Sequence, residues 1–314
     1  MKRILLCALV CCLLLGCRAE TAHSAAGIAC DTVVTVTAYA PQDVVDGTMR
    51  VCAEYEAMLS KTVEGSDVWN LNHAGGEPVE VHPETAALLK LAVEIGESSG
   101  GAFDVTIAPV SALWDFTADE PTVPDPGDLA DAASRVDYRN IVIDGNRVTL
   151  QNGAQIDLGG IAKGYIADRV AGYLKEQGVT SACINMGGNV VTIGTKPDGS
   201  LWTIGIRDPN GTPEQSREVL RLGSAAVVTS GHYERFFLLD GVRYHHILDP
   251  KTGMPVSNGL ASVTIVGTRS DLCDALSTAC FVLGEEGSRQ LLERYDVRAI
   301  FIRQDGTETT YPEE

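Results

Sequence analysis

The sequence predicts an α+β fold of mixed, largely antiparallel sheets with packed helices, arranged as two intimate lobes. Two observations support this prediction. Segments with a strand pattern follow one another through turn signals such as Asp144-Gly145-Asn146 and Asp240-Gly241. Only a few helical segments interrupt them, and strands joined by hairpins disfavour a doubly wound parallel sheet. The chain of 314 residues is also long enough to bury a sizeable core.

The elements of the first half follow from hydrophobic periodicity. Residues 31–40 alternate Val and Thr as a strand does, and residues 43–60 place apolar side chains at helical spacing. A second helix is predicted after Pro83. Residues 103–110 form a short apolar segment that we expect to be buried. Residues 115–127 are rich in Asp and Pro, which predicts an exposed loop.

The second half is predicted to be richer in strands. A helix is expected at residues 162–176, because Gly178 follows it as a typical end signal. Strand pairs are predicted at residues 141–150, 183–194, 201–206, 218–229 and 235–248. A final block over residues 262–303 has the order strand, helix, helix, strand.

The N-terminus resembles a lipoprotein signal peptide. Basic residues precede an apolar stretch at residues 4–15, too short to span a bilayer stably, which closes with Leu14-Leu15-Gly16-Cys17. The resemblance implies that residues 1–16 are a signal peptide, that Cys17 is lipidated, and that residues 17–30 are a lipid-anchored tether. The body is then expected at the extracytoplasmic face of a bacterial membrane, anchored by lipid. A plain cleaved signal with a coincidental Cys is the alternative.

Charge and cysteine content exclude some classes of function. The formal net charge of −18 disfavours nucleic acid as a partner. A phosphate ligand must therefore be held locally, by a metal ion, helix N-termini and a few Lys or Arg. The cysteines beyond residue 17 form no Cys-x-x-Cys pair, so they indicate neither a disulfide framework nor a zinc site.

The most informative run is Ile156-Asp157-Leu158-Gly159-Gly160-Ile161-Ala162-Lys163-Gly164, where a strand ending in a carboxylate passes through two glycines into a helix. Glycines let the backbone approach a ligand closely, and the first amides of a helix have no intrahelical partners. Lys163 adds a mobile cation. The run therefore predicts an anion site, and the alternative is an ordinary tight turn with Lys163 in solvent.

A second cluster lies on a predicted helix, where Asp274 and Thr278 stand four residues apart and share a face. One carboxylate and one hydroxyl on a rigid helix suit Mg²⁺, which takes few protein oxygens and keeps water or phosphate for the rest. The alternative is a charge that favours the helix N-terminus, beside an unrelated surface Thr.

Two further clusters lie at predicted strand ends. One contains Ser230-Gly231 and the adjacent His245 and His246, whose side chains point to opposite faces of a strand. A His with Asp249 three residues on can act as a general base, although structural histidines are common. The other is Asn185-Met186-Gly187-Gly188-Asn189, a strand-glycine turn that is weak evidence by itself.

Together these motifs resemble the ApbE family of FAD:protein FMN transferases, which attach FMN to exported proteins. The resemblance rests on motifs in family order: Phe103-Asp104-Val105-Thr106-Ile107-Ala108-Pro109, Asp157-Leu158-Gly159-Gly160-Ile161-Ala162-Lys163-Gly164, Asn185-Met186-Gly187-Gly188-Asn189, Thr229-Ser230-Gly231, His246-Ile247-Leu248-Asp249-Pro250-Lys251-Thr252-Gly253 and Asp274-Ala275-Leu276-Ser277-Thr278. It implies a single ApbE-like flavin transferase domain over residues 31–310.

The resemblance also implies a set of site residues. The metal, Mg²⁺ with Mn²⁺ as the alternative, is expected on the Asp274 carboxylate, the Thr278 side chain and the backbone carbonyl of Ala162. FAD is the implied substrate. The residues expected to bind it are Asp157, Gly159, Gly160, Lys163, Met186, Gly187, Gly188, Ser230 and Gly231.

The implied reaction transfers FMN from FAD to a Thr or Ser hydroxyl of an exported acceptor protein and releases AMP. His246 is the expected general base, and Asp249 is expected to fix its orientation. Two departures from the family pattern affect the expected flavin contacts. Cys30-Asp31-Thr32 stands where members often have Met-Gly-Thr. The polar run that usually precedes Leu-Asn is here Ser66-Asp67-Val68-Trp69-Asn70, before Leu71-Asn72.

Other functions compete with this one. An FAD pyrophosphatase or a flavin-binding lipoprotein needs the same site but no protein acceptor. A solute-binding lipoprotein fits the N-terminus but needs no Asp274 and Thr278 pair. A nicotinamide oxidoreductase is disfavoured, because no Gly-x-Gly-x-x-Gly run with a downstream acidic residue follows the first strand.

Overall fold

The structure is a computed structural model that describes residues 21–212 and 215–313. The expected signal peptide and Cys17 lie outside the described residues. Within the described part of the chain, no helix is long and apolar enough to cross a bilayer.

The described chain begins with a hairpin of strands β1 (His23–Ala29) and β2 (Thr32–Ala38). The expectation of a tether up to residue 30 is therefore wrong for β1, which is a strand of the main sheet. Small side chains explain this, because Gly27 faces helix α1 (Gln42–Leu59), where a Cβ would lie 2.9 Å from Met49 Sδ. An edge strand of small residues thus packs closely under a helix.

The next elements form a helical layer with a small sheet. They are α2 (Asp67–His73), β3 (Val79–Glu80), α3 (Pro83–Ser98), α4 (Ala108–Ser111), α5 (Pro126–Ala133), a 3₁₀ turn (Tyr138–Asn140), β4 (Ile141–Asp144) and β5 (Arg147–Leu150). Strands β3, β5 and β4 make an antiparallel three-stranded sheet. The predicted helix after Pro83 and the strand pair at residues 141–150 are confirmed.

The remaining elements complete the fold. They are α6 (Ala162–Glu176), β6 (Ala182–Met186), β7 (Asn189–Ile193), β8 (Trp202–Arg207), β9 (Ser216–Leu222), β10 (Ala225–Gly231), β11 (Phe236–Leu239), β12 (Val242–His245), β13 (Leu260–Gly267), α7 (Ser270–Leu292), β14 (Arg298–Arg303) and β15 (Glu308–Tyr311). The main sheet has the order β1-β2-β6-β7-β10-β13-β14-β15, and every neighbouring pair is antiparallel. The predicted α+β class with antiparallel sheets is confirmed.

One predicted strand pair is wrong. Residues 218–229 do not form a hairpin, because β9 pairs with β8 while β10 lies between β7 and β13 in the main sheet. The final block is confirmed, since Gly284 has non-helical φ and ψ and divides α7 into two helical parts.

The main core lies between helices α1, α6 and α7 and one face of the main sheet. Val34, Ile184 and Phe281 are fully buried in it. The other face packs against the β8–β9 pair through Trp202 and Ile300. Burial on both faces of its central strands makes the sheet a rigid support for the loops at its ends.

Candidate functional site

The Asp157 loop is fixed by contacts with distant parts of the chain. The Asp157 amide donates to the Val105 carbonyl at 2.7 Å, and the Asn72 side chain bonds both backbone groups of Ile156. The loop then turns through Gly159 and Gly160 into α6. Asn72 directly follows the unusual run noted in the sequence, and it supports the loop from behind.

The Asp157 carboxylate is held inside the protein. Its Oδ2 accepts hydrogen bonds from Lys61 Nζ at 2.6 Å and Ser111 Oγ at 2.9 Å, and its Oδ1 accepts one from the Gly159 amide at 2.9 Å. Burial alone would raise the pKa of Asp157, but the charge and hydrogen bond of Lys61 outweigh it and lower the pKa. Asp157 therefore shapes the glycine loop, and its oxygens are occupied by protein groups.

Lys61 and Ser111 are site residues that sequence reasoning missed. Lys61 follows the end of α1 and lies 96 positions from its partner Asp157. Nothing in its neighbourhood marks it as more than a surface lysine. Only the tertiary contact reveals its role.

Lys163 provides a cation beside this loop. It lies in the first turn of α6, and its Nζ donates to the Gly159 carbonyl at 3.1 Å. Its charge acts on two other groups, because it opposes the burial that raises the pKa of Cys30 and adds to the desolvation that lowers the pKa of His246. Lys163 thus lies between the β1–β2 turn and the segment that carries His246.

Two glycines allow α6 to approach α7. A Cβ on Gly164 would collide with the Ser270 carbonyl and lie 2.7 Å from the Asp274 Cβ. A Cβ on Gly160 would lie 3.1 Å from the Phe103 ring and 3.5 Å from Thr278 Oγ1. Glycine is therefore needed at position 164 for the close packing of the two helices, and Gly160 places the loop before α6 against Phe103 and Thr278.

This packing brings the predicted metal-ligand residues together with the glycine loop. Asp274 is buried, with 3% of its surface exposed, and its Oδ2 accepts a hydrogen bond from the Gly164 amide at 2.8 Å. Thr278 Oγ1 lies 3.3 Å from Ser230 Oγ, which also bonds Ser277 Oγ at 2.8 Å. Three of the four sequence clusters therefore meet at the junction of α6, α7 and β10.

The donor set at this junction fits a hard divalent cation. Among the described residues, Asp274 Oδ1 makes no hydrogen bond, and Thr278 adds a hydroxyl oxygen. Ala162, whose carbonyl is the third expected ligand, begins the helix that Asp274 contacts through Gly164. Oxygen donors with few protein charges are typical of Mg²⁺ sites that keep water or phosphate ligands.

The fourth cluster is a tight turn between β6 and β7. Gly187 and Gly188 have φ angles of 58° and 94°, and a Cβ on Gly187 would collide with the Thr32 side chain. The Met186 side chain is fully buried in the main core, so any contact of this residue with FAD would be made by its backbone. The Asn189 amide nitrogen is buried without a partner in the described protein, a group that a ligand or water could satisfy.

The two adjacent histidines point to different surroundings, as predicted. His245 is buried edge-on to Phe281, and its Nε2 lies 3.0 Å from the Val256 carbonyl. His246 is exposed to solvent, yet surrounding protein lowers its pKa to about 4, chiefly by desolvation and then through the charge of Lys163. His246 is therefore the histidine placed near the cation, and it is neutral at pH 7.

Asp249 does not orient His246. Among the described residues no hydrogen bond joins the two, and Asp249 Oδ1 accepts the Lys251 amide at 2.9 Å. The Asp249 carbonyl also accepts the Gly253 amide, and the Gly253 carbonyl accepts Trp114 Nε1. The expected catalytic role of Asp249 is corrected to a structural one, because its carboxylate closes a tight turn.

A second histidine contact was missed from the sequence. His232 is buried, and Arg243 Nη1 lies 2.8 Å from its Nδ1. Burial and then the charge of Arg243 lower the pKa of His232 to about 4. His232 is thus held neutral directly after Ser230 and Gly231. The sequence spacing between His232 and Arg243 corresponds to no known motif.

Comparison with known proteins agrees with this geometry. A family model described as "ApbE family" matches residues 30–301. This chain belongs to the ApbE family. The chain is 42% identical to the FAD:protein FMN transferase of Treponema pallidum (strain Nichols), covering 80% of this chain and 75% of that protein. It is 39% identical to a protein of the same name from Klebsiella pneumoniae (strain 342), covering 81% and 80%.

Solved ApbE structures have the same fold. The ApbE protein from Thermotoga maritima MSB8 superposes with a TM-score of 0.85 at 35% identity, covering 92% of this chain and 96% of that one. The flavin transferase ApbE from Vibrio cholerae gives a TM-score of 0.83 at 28% identity, covering 94% and 98%.

The structure locates this chain's departure from the common ApbE motif. Cys30 and Asp31 form the β1–β2 turn with φ angles of 51° and 55°, a conformation that favours glycine. Arg235 Nη2 donates to the Asp31 carbonyl at 3.1 Å. The departure therefore lies beside the segment that carries His246.

Proposed function

We propose that this chain is a Mg²⁺-dependent FAD:protein FMN transferase, which transfers FMN to a Thr or Ser hydroxyl of an exported acceptor protein and releases AMP. The observation that carries the proposal is the meeting of the buried Asp274 carboxylate, the Thr278 hydroxyl and the Gly159-Gly160 loop at one helix junction. The names of the curated relatives support the same activity.

The chain's own residues bind and orient FAD. Asp274, Thr278 and the Ala162 carbonyl would hold Mg²⁺, which when bound neutralises charge on the pyrophosphate. Lys163 and the N-terminus of α6 bind phosphate oxygens, because both carry positive charge toward the loop, while the Ala162 and Gly164 amides already donate to the Leu158 carbonyl and to Asp274. Lys61 neutralises Asp157, so the loop presents no uncompensated carboxylate to an anionic ligand.

His246 accepts the proton of the acceptor hydroxyl. A bond forms between the hydroxyl oxygen and the FMN phosphorus as the bond to the AMP oxygen breaks, and AMP leaves. With a pKa of about 4, His246 is unprotonated at neutral pH and free to accept this proton. Phosphate groups near Lys163 would raise that pKa toward neutrality and make the base stronger. Such a base contributes about 10²- to 10⁴-fold.

Mass spectrometry of an acceptor protein tests the proposal. The purified protein, FAD and Mg²⁺ are incubated with an exported acceptor, and we expect one FMN on a Thr or Ser for each AMP released. Asp274→Ala should abolish the reaction, since it removes the carboxylate of the metal site. Free FMN and AMP with an unlabelled acceptor would indicate a pyrophosphatase, and FAD binding without AMP release would indicate a flavin-binding lipoprotein.

We further propose that Cys17 anchors the protein at the extracytoplasmic face of the membrane. The support is the signal-like sequence before Cys17 and the position of β1, which begins six residues later at His23. An extended chain of that length reaches at most about 20 Å. Cys17→Ser should release the protein from membranes with its transfer activity unchanged, as measured after fractionation.

A further inference from the structure

The β11–β12 hairpin exposes apolar side chains at its free end. Leu238 is 62% exposed and Val242 is 51% exposed, and Leu239 pairs directly with Val242. The two strands pair only with each other within the described residues. Because adjacent strand residues point to opposite faces, Leu239 and Val242 share one face of the hairpin end and Leu238 lies on the other. Exposed apolar side chains at a protruding hairpin end are typical of a surface that contacts a partner.

The base of the hairpin is part of the proposed active site. Arg235 precedes β11 and His246 follows β12, and the His246 amide donates to the Arg235 carbonyl at 3.1 Å. At about 3.3 Å per residue, Val242 lies roughly 13 Å along the strand from His246. A partner that contacts the hairpin end is therefore within a few residues of the base that acts on its hydroxyl.

The base of the hairpin is fixed on an aromatic cluster. Phe237 and Tyr244 stack with ring centroids 5.2 Å apart, and both rings contact Trp114. This packing holds the hairpin base and leaves only its end in solvent. A fixed base and an exposed end suit a docking element, because little conformational entropy is lost when a partner binds.

A second apolar pair lies on the neighbouring hairpin. Ile28 and Val33 are cross-strand partners on β1 and β2, and they are 82% and 62% exposed. The hydrogen bond from Arg235 to the Asp31 carbonyl joins the two hairpins near Lys163. We call Leu238, Leu239, Val242, Ile28 and Val33 the apolar rim.

We propose that the apolar rim is the docking surface for the acceptor protein, which presents apolar side chains on either side of the modified Ser or Thr. The proposal rests on the proposed transferase function. That reaction needs a protein hydroxyl beside His246, and the rim continues outward from that site. The Arg243 guanidinium lies over the Phe236 ring and contacts His232 at the hairpin base, so the charge at the hairpin end is that of Asp240. A net charge of −18 disfavours an anionic membrane surface as the occupant.

Paired serine substitutions test the rim in the full-length protein. The variants are L238S/V242S on one hairpin and I28S/V33S on the other. The matched control is Val142→Ser, an apolar residue in β4 that is 42% exposed and lies in the three-stranded sheet. KM and kcat are measured for the acceptor protein and for a short acceptor peptide that contains the modified residue, and FAD affinity is measured by flavin fluorescence.

We expect L238S/V242S to raise KM for the acceptor protein about tenfold or more, with kcat and FAD affinity unchanged. The short peptide should be affected little, since it lacks the flanking apolar contacts. I28S/V33S should act in the same direction, and Val142→Ser should match the parent.

Three results would overturn the proposal. The first is an unchanged acceptor KM in both double variants. The second is loss of binding to phosphatidylglycerol vesicles with an unchanged acceptor KM, which would assign the rim to the membrane. The third is a parent protein that transfers no FMN, which refutes the transferase function itself. This result is distinct from an active parent whose KM for the acceptor is unchanged by substitutions in the apolar rim.

Discussion

The α6–α7 junction and the β11–β12 hairpin contribute to one site by opposite means. At the junction, Gly164 brings two helix backbones into contact and the buried Asp274 bonds a backbone amide. The hairpin has two strands, an aromatic base and an exposed end. A charged ligand needs fixed, desolvated groups, whereas a protein partner needs accessible ones. The two regions can therefore change independently, and acceptor choice can vary while the phosphate site stays constant.

The largest effect is expected from a substitution that separates α6 from α7. Gly164→Ala places a methyl group against the Ser270 carbonyl, so α6 and α7 must separate and Asp274 loses its position. We expect FMN transfer to be abolished and stability to fall by about 1–3 kcal/mol. Thermal unfolding and the transfer assay measure both effects.

Gly172→Ala is the control on the same helix. A Cβ at Gly172 meets no atom within 4 Å, so this change should be neutral or slightly stabilising. Equal behaviour of the two variants would show that the close approach of the helices is unimportant for the site.

The next largest effect is expected at the hairpin base, where substitutions of His245 and His246 distinguish a structural role from a catalytic one. His246→Gln should slow transfer by roughly 10²- to 10⁴-fold with FAD affinity retained, because it removes the proposed base. His245→Gln should instead lower the unfolding midpoint, because His245 packs against Phe281 in the interior. Single-turnover transfer and thermal melts of both variants measure this. An unchanged single-turnover rate for His246→Gln would assign the base to another group.

A smaller effect is expected at Lys61, which supports the glycine loop. Lys61→Met leaves the Asp157 carboxylate without its cation, so we expect FAD affinity to fall about tenfold and stability by about 1–3 kcal/mol. Lys61→Arg should restore much of both. Fluorescence titration with FAD measures the affinity. An unchanged affinity in Lys61→Met would show that the Asp157 charge is not felt by the ligand.

The smallest effect is a pH dependence whose sign differs between the two regions. Burial raises the pKa of Asp168, an α6 residue whose carboxylate accepts the Asp271 amide at the start of α7, to about 6, so its contribution to stability falls as the pH rises from about 4 to 6. The lowered pKa of His246 acts oppositely, since stability is lost as the pH falls from about 6.5 to 4, and the exposure of this side chain makes its contribution small.

Asp168→Asn should remove the first dependence. The stability of the variant relative to the parent should therefore be higher at pH 7 than at pH 4.5, by on the order of 1 kcal/mol. Urea unfolding at the two pH values measures it. If Asp168→Asn and the parent shift equally between pH 4.5 and 7, the raised pKa of Asp168 is wrong.

Local patterns in the sequence predicted what depends on local structure. The bounds of α6, the Asp274 and Thr278 face and the opposite faces of His245 and His246 all follow from helix or strand period. These features need no knowledge of distant partners. The motif resemblance then joined them into one site.

Contacts between distant segments could not be predicted. The Lys61 and Asp157 pair joins segments 96 residues apart, and β1 is a strand only because it pairs with β2 under a helix. The 218–229 segment has strand character throughout, so only the sheet order reveals that β9 and β10 belong to different sheets. The prediction that Asp249 orients His246 fails because membership of a motif does not tell a structural residue from a ligand-binding one.

The position of β1 has a mechanical consequence. The strand enters the main sheet at His23, whose partner is Ala38, at the end of the hairpin away from the Cys30-Asp31 turn. A pull on the N-terminus directed across the strand would therefore load the hydrogen bonds one pair at a time, beginning at His23. The strand would peel at low force, starting at the end of the hairpin farthest from Lys163. Under tension β1 would therefore detach from the sheet before the force disturbs the contact between α6 and α7.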